Sequence, residues 1–331
     1  MHRLKAMALA ALSSACLAWP ASAEEGTALG VPLDCKPGET CFLQQYPDMD
    51  EGPKVEDPFC GEASYDGHSG TDIRVPSMTD IVRDVPVLAL ADGTVRAIRD
   101  GEEDRPIRDK SEWPRFKGRD CGNGAIIDHA NGLETQYCHM RKGSLAVAGG
   151  DEVKKGQMIG AVGSSGMAAF PHLHLTVRRD GKDVDPFTGK LIGSGCSHEA
   201  AEPLWSQAAL DFLDKANVHV MGLGMTGSPP KYESLMLKGP PADLTSRDRA
   251  TVGWGWFLNL SQADRLHFKI TAPDGTTYTE TETPPLSHRK AAYMQFVGRG
   301  RSPEPGEWTL EIDLKRDGKV VETKTRTVSV K

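Results

Sequence analysis

The sequence predicts an all-β chain of two domains, and three observations carry that prediction. Apolar runs are short and broken by turn residues, with 35 Gly and 22 Pro among 331 residues, which favours strands and turns over long helices. Two runs are joined through Asn131-Gly132, a strong short-range hairpin signal. The last third alternates apolar and polar residues at the period of a strand. Length alone suggests about two domains. An apolar content of 38% supports a sizeable core and excludes wholesale disorder. With 39 basic and 46 acidic residues the net charge is −7, which argues against an electrostatic grip on nucleic acid or anionic lipid.

Residues 1–23 have the three-part form of a secretory signal: Arg3 and Lys5, an apolar run, then Ala21-Ser22-Ala23 before Glu24. The run is short for a membrane span of about 20 residues, and no later stretch is apolar enough to cross a bilayer. Ordinary cleavage after Ala23 fits better than a lipid anchor at Cys16. Export is therefore expected, to the periplasm first and to the medium as the second option. Residues 24–60 are rich in Pro, Gly and acids without periodicity and read as an irregular arm pinned by cysteines.

The first folded domain is expected over 61–197. Val85 to Leu90 meets the turn Ala91-Asp92-Gly93 and continues as Thr94 to Ile98. Ala125-Ile126-Ile127 and Thr135-Gln136-Tyr137 form the hairpin, and Val153 to Val162 and Leu173 to Val177 add strands. Between them Arg99 to Arg119 is charged and aperiodic, and a loop of that length in a compact domain is more often functional than accidental. Residues 198–215 read as a linker, with a short helical pattern from Leu204 to Leu213. Residues 216–331 read as an immunoglobulin-like β-sandwich. Val252, Trp254, Trp256, Leu258 and Leu260 share one strand face, as do Leu266, Phe268 and Ile270. Trp308, Leu310, Ile312 and Leu314 repeat the pattern before the Asp317-Gly318 turn and a last strand to Val330. His219, His267 and His288 are scattered there and read as solvated.

Cleavage leaves Cys35, Cys41, Cys60, Cys121, Cys138 and Cys196. An even number in an exported chain implies three disulfides out of 15 pairings, and no Cys-x-x-Cys pair favours zinc thiolates. Cys35 and Cys41 enclose the turn-prone Lys36-Pro37-Gly38 and are expected to pair. Cys121 and Cys138 flank one hairpin and pair if the chain bends at Gly122-Asn123-Gly124. Cys60 with Cys196 then follows by elimination.

Three histidine-bearing segments lie in order in the first domain: His68-Ser69-Gly70-Thr71-Asp72, Tyr137-Cys138-His139-Met140, and Pro171-His172-Leu173-His174-Leu175. Side chains two apart on a strand share a face, so His172 and His174 look into one cleft. Zinc takes such nitrogen and oxygen ligands at about 2.0–2.2 Å, and a catalytic zinc keeps one position for water. Alone, a His-x-His is more often a surface pair, a His-x-x-x-Asp is close to chance, and His139 is an ordinary strand-end residue. Their joint occurrence in one β-rich exported domain is far more specific. His129, in the turn Asp128-His129-Ala130-Asn131, reads as structural.

From about Tyr65 to Pro186 the chain closely resembles the lysostaphin-type, LytM-like zinc metallopeptidases, which cut the peptide part of bacterial peptidoglycan. HSGTD, PVLALADGTV, CGNGAIIDHANGLETQYCHM, GDEVKKGQMIGAVGSSG, PHLHLTV and GKDVDP carry the resemblance. It implies an antiparallel β catalytic core with an open groove. It also implies one Zn2+ held by His68, Asp72 and His174, with His139 and His172 as the catalytic histidines. All five positions are filled, which disfavours the degenerate relatives that act only as activators. The cysteines and the charged loop depart from the shortest family members.

The function expected from these readings is a zinc endopeptidase acting on murein cross-links or stem peptides. The C-terminal sandwich would dock the wall or a protein partner, with no nucleic acid and no membrane span involved. Two other classes compete. Gly150 to Gly166 also resembles the turn-rich strands of lipoyl- and biotin-carrier barrels, which give no reason for five metal-type residues. A wall-binding or activator protein with a retained zinc site would bind metal without turnover.

Overall fold

A computed structural model describes residues 28–196 and 202–331. The expected signal segment 1–23, residues 24–27 of the arm, and Ser197 with linker residues 198–201 lie outside the described residues. The chain is mostly β, in antiparallel sheets. Among the described residues no helix is long and apolar enough to cross a membrane.

Ten strands build the first half: β1 (Phe42–Gln45), β2 (Thr71–Arg74), β3 (Pro86–Leu88), β4 (Gly93–Arg99), β5 (Asn123–His129), β6 (Leu133–Met140), β7 (Glu152–Val153), β8 (Met158–Ala161), β9 (His172–Arg179) and β10 (Lys182–Val184). Eight form one sheet in the order β1-β2-β9-β6-β5-β4-β7, with β10 also on β9, while β3 pairs β8. The hairpin β5–β6 turns at Asn131 and Gly132, both at positive φ, as the Asn-Gly pair predicts. Along β9, Leu173, Leu175 and Val177 alternate into the core, turning His172, His174 and Thr176 to the opposite face. Register on either side places Asp72 of β2 and Cys138 of β6 against His174.

The arm is less irregular than its composition predicts. Its β1 pairs with β2 at the edge of the main sheet, and Leu29, Leu33, Leu43 and Tyr46 join the core. Disulfides link Cys35 to Cys41, Cys60 to Cys196 and Cys121 to Cys138. Asp57 accepts hydrogen bonds from the Phe59, Gly61 and Ala63 amides, which folds the turn before Cys60 and beyond. The helical pattern near Leu204 becomes α1 (Gln207–Ala216), whose start is capped by the Ser206 hydroxyl accepting from Ala209 N–H. Its buried face, Ala209, Phe212, Leu213 and Ala216, completes the core of the first half. In the charged loop, Lys110–Phe116 forms a 3-10 turn begun by Asp109, and Phe116 is buried.

The C-terminal half is an immunoglobulin-like sandwich of two sheets. One is β11 (Val220–Thr226), β12 (Thr251–Leu260) and β15 (Lys290–Arg299). The other runs β14-β13-β16-β17 and comprises β13 (Arg265–Thr271), β14 (Thr277–Glu282), β16 (Gly306–Arg316) and β17 (Lys319–Val330). A short helix α2 (Tyr232–Lys238) follows β11. Phe257, Leu266, Phe268, Ile270, Trp308, Leu310, Ile312 and Leu314 fill the interior.

The tryptophan face of β12 does not belong to that interior. Gly253 and Gly255 face inward, where an added Cβ would come within 2.9 Å of the Leu310 and Ile312 side chains. Trp254, Trp256 and Leu258 instead pack with Phe42 of β1 and with Met221, Leu235 and Met236. The Met78 amide also donates to the Met236 carbonyl at 2.8 Å. β12 is thus buried on both sides, and its tryptophans join the sandwich to the first half.

Candidate metal centre

His68, Asp72 and His174 come together with ligand atoms within 4.8 Å of one another. His68 Nε2 lies 3.2 Å from Asp72 Oδ1 and 3.1 Å from His174 Nδ1, and His174 Nδ1 lies 2.9 Å from Asp72 Oδ1. These separations approach the roughly 3.4 Å between ligand atoms on a tetrahedral ion with bonds near 2.1 Å.

The outer hydrogen bonds explain why the lone pairs converge. His68 Nδ1–H donates to the Tyr46 carbonyl at 2.7 Å, which leaves Nε2 as the inward atom. His174 Nε2–H donates to Thr176 Oγ1 at 3.1 Å, which leaves Nδ1 inward instead. Two imidazoles and a carboxylate presented in this way fit a zinc ion, and three protein ligands leave a position for water.

His139 and His172 stand beside this group. His172 Nδ1–H donates to the Phe170 carbonyl at 2.8 Å, and its Nε2 lies 3.6 Å from Asp72 Oδ1. His139 Nδ1–H donates to the Ser165 carbonyl at 2.8 Å. The two rings are 4.6 Å apart. His139, next to last in β6, lies in the left-handed region at φ 60°, with its amide held by the Cys121 carbonyl at 2.8 Å. An unusual backbone angle held by a neighbouring segment is the kind of local strain found at functional positions.

Exposure of only 1% for His68, 2% for Asp72, 4% for His172 and 7% for His139 shelters these groups from bulk water. Burial, and after it the His172 and His174 rings, pushes His139 well below the ordinary histidine range. Burial also lowers His172, which outweighs the pull of Asp72. Both are therefore neutral bases with a free Nε2. Burial alone would raise Asp72, but the adjacent His68 reverses this and holds its carboxyl well below the usual range, so it stays ionised.

All five residues singled out from sequence lie in this one cluster. His129 lies elsewhere, bonded to the Asp92 carbonyl at 2.9 Å and to Thr135 Oγ1 at 2.7 Å, as a hairpin residue. Sequence reading missed the groups that orient the rings. Three of these are backbone carbonyls, which any residue supplies and no motif signals. Thr176, two residues after His174 on the same face, carried a signal in the strand alternation.

Residues 66–186 match the model of peptidase family M23. DD-carboxypeptidase/endopeptidase Mpg of Neisseria meningitidis serogroup B is 36% identical over 126 residues, 38% of this chain and 23% of Mpg. Peptidoglycan DD-endopeptidase ShyC of Vibrio cholerae is 31% identical over 139 residues, 42% of this chain and 26% of ShyC. The chain thus spans about a quarter of the length of these curated relatives. A crystal structure of a zinc containing peptidase from Vibrio cholerae is 24% identical, covering 50% of this chain and 40% of that chain, with a TM-score of 0.34.

Proposed function

We propose that this chain, whose residues 66–186 form a peptidase family M23 domain, is an exported zinc-dependent endopeptidase that hydrolyses peptide bonds of peptidoglycan. One observation carries the reading: His68 Nε2, Asp72 Oδ1 and His174 Nδ1 converge while His139 and His172 keep uncommitted Nε2 atoms beside them. His68, Asp72 and His174 are the residues that would hold zinc. Zinc held there would supply a Lewis acid able to acidify an attacking water and polarise the scissile carbonyl.

The chain's own residues supply the rest. Neutral His172 and His139 accept a proton at Nε2, or donate from the protonated ring to the developing oxyanion. The Phe170 and Ser165 carbonyls hold each ring by its Nδ1–H, so neither must reorganise during the reaction. The ionised Asp72 stabilises the positive charge that His172 acquires on accepting a proton. Mpg is named a DD-carboxypeptidase/endopeptidase and ShyC a peptidoglycan DD-endopeptidase, and the activity the two names share supports the murein cross-link as the bond cut. The three disulfides support export to an oxidising compartment, the periplasm in the first place.

Digestion of purified cross-linked sacculi by the mature protein, followed by mass spectrometry, tests this. Cross-linked muropeptides should decrease, a chelator should stop the reaction, and added zinc should restore it. Zinc-loaded protein that leaves every cross-link and stem peptide intact points instead to a wall-binding or activator role.

A further inference from the structure

Arg74 lies two residues beyond Asp72 on β2, opposite His172 on β9, and is fully buried. A guanidinium taken out of water needs its donors satisfied. Arg74 donates from Nη1 to Gln44 Oε1 at 2.8 Å, from Nη2 to the Pro76 carbonyl at 3.1 Å and from Nε to the Val75 carbonyl at 3.4 Å. All three are neutral acceptors, and the Tyr232 side chain of α2 also bonds the guanidinium. Its central carbon lies 4.8 Å from the centre of the Phe170 ring and 5.2 Å from that of Trp256 in the sandwich. A cation taken out of water and set over ring faces in this way is held in place by them.

Phe170 continues the series. Its ring lies 4.4 Å from that of His172 at 32°, and its carbonyl accepts the His172 Nδ1–H. The His172 ring in turn lies 4.6 Å from His139. Trp256, Arg74, Phe170, His172 and His139 therefore form one unbroken stack from the C-terminal domain to the two histidines. Phe170 and Pro171 precede β9 as irregular backbone, tied to the strand next door by Val75 N–H on the Pro171 carbonyl at 3.1 Å. What fixes the Phe170 ring and carbonyl consequently fixes His172.

We propose that Arg74 and Trp256 are positioning residues for His172, which makes the sandwich a working part of the hydrolytic site rather than only a docking module. This rests on the catalytic reading of His172 given above. Proton transfer needs the ring within about 0.5 Å and 10–20° of its working geometry, and a misplacement of about 1 Å can cost 10²-fold. Neither Trp256 nor Phe170 holds a metal-ligating atom, so loosening the stack lowers turnover while leaving zinc in place.

Arg74→Met, Trp256→Phe and Trp256→Ala in the whole protein test this. Arg74→Met keeps the length of the side chain but leaves Gln44 Oε1 and the Pro76 carbonyl without this donor, so thermal unfolding is read beside kcat for each variant, and the Trp256 pair carries the test if Arg74→Met does not fold. Arg74→Met should retain one zinc per chain and lose about tenfold or more in kcat on purified murein dimers, with KM within twofold. Trp256→Phe keeps a ring and should recover most of the kcat that Trp256→Ala loses. In zinc-free, 15N-labelled protein the His172 Nδ1–H resonance should broaden or exchange with water in Arg74→Met and persist in Trp256→Phe. The proposal is overturned if zinc-loaded Arg74→Met keeps kcat within twofold with an unchanged His172 resonance. A loss confined to KM, or a loss of zinc in step with activity, overturns it too. An unaltered, zinc-loaded protein that cuts nothing refutes the proposed function instead, and the resonance then still decides the positioning role.

Discussion

Gly70 stands between His68 and Asp72, and the space a side chain needs there is already taken. A Cβ on Gly70 would lie 2.6 Å from His174 Nε2, 2.7 Å from His174 Cε1 and 2.6 Å from the Leu175 carbonyl oxygen. Ordinary non-bonded contact needs about 3.5 Å, so the shortfall is about 0.9 Å. The Leu175 backbone is fixed in the β2–β9 ladder opposite Thr71, so residue 70 must shift away from its carbonyl and the His174 ring must move as well. Zinc–nitrogen bonds tolerate about 0.2 Å either way. The same displacement breaks the His174–Thr176 hydrogen bond, and losing such an outer contact by itself costs about 10–100-fold in metal affinity. Gly70→Ala should therefore weaken zinc binding by about 100-fold or more, while overpacking lowers stability by only about 1–3 kcal/mol. Competition against a colorimetric zinc chelator reads the affinity, and thermal unfolding of zinc-free protein checks the fold. A folded Gly70→Ala protein that binds zinc as tightly as the unaltered chain would refute the placement of His174 among the ligands.

Three further outcomes are expected. Burial and, less so, Asp57 push the Asp185 carboxyl up to about 6 despite bonds from Thr188 and Phe187. A raised acid favours the folded state while protonated, so its contribution is lost as pH rises from about 4 through 6. Asp185→Asn should thus gain on the unaltered protein by an amount on the order of 3 kcal/mol over that window, and urea midpoints that stay parallel in pH would contradict it. Reducing Cys121–Cys138 releases the segment whose Cys121 carbonyl holds the His139 amide; Cys121→Ser with Cys138→Ser should lose about 3 kcal/mol and most turnover while keeping zinc, and unchanged turnover would show that His139 needs no such tether. A chain ending at Cys196 lacks Trp205, Phe212 and Leu213 from its core; at roughly 1.5–3 kcal/mol each, against a total stability of about 5–15 kcal/mol, it should be unfolded by circular dichroism at 37 °C, and a cooperative melt above that temperature would contradict it.

How much of this is legible in sequence differs from residue to residue. His68, Asp72, His172 and His174 show themselves because a strand keeps its period of two and because the four-residue His-to-Asp spacing is local. The hairpin at Asn131-Gly132 is legible for the same reason. β1 is not, since its partner β2 lies beyond a Gly- and Pro-rich stretch and no local period announces the pairing. α1 shows its helical spacing but not that its apolar face finishes the preceding domain. On β12 the tryptophans have the stronger pattern, yet Gly253 and Gly255 face the sandwich interior because Leu310 and Ile312 fill the space there. Arg74 is the least legible of all. An arginine in a strand reads as solvent-facing, and only the tertiary fold brings Gln44, Phe170 and Trp256 around it.

Zinc content measured beside hydrolysis rate, in four single variants, tests the division of labour within the site most directly. Asp72→Ala and His174→Ala each remove one of three protein ligands and should lose zinc together with activity. His139→Ala and His172→Ala should keep close to one zinc per chain while turnover falls on the order of 10² or more, the usual scale for a general base or an oxyanion donor. Zinc lost from His172→Ala but retained by His174→Ala would invert the assignment, and full activity in all four would remove the site altogether.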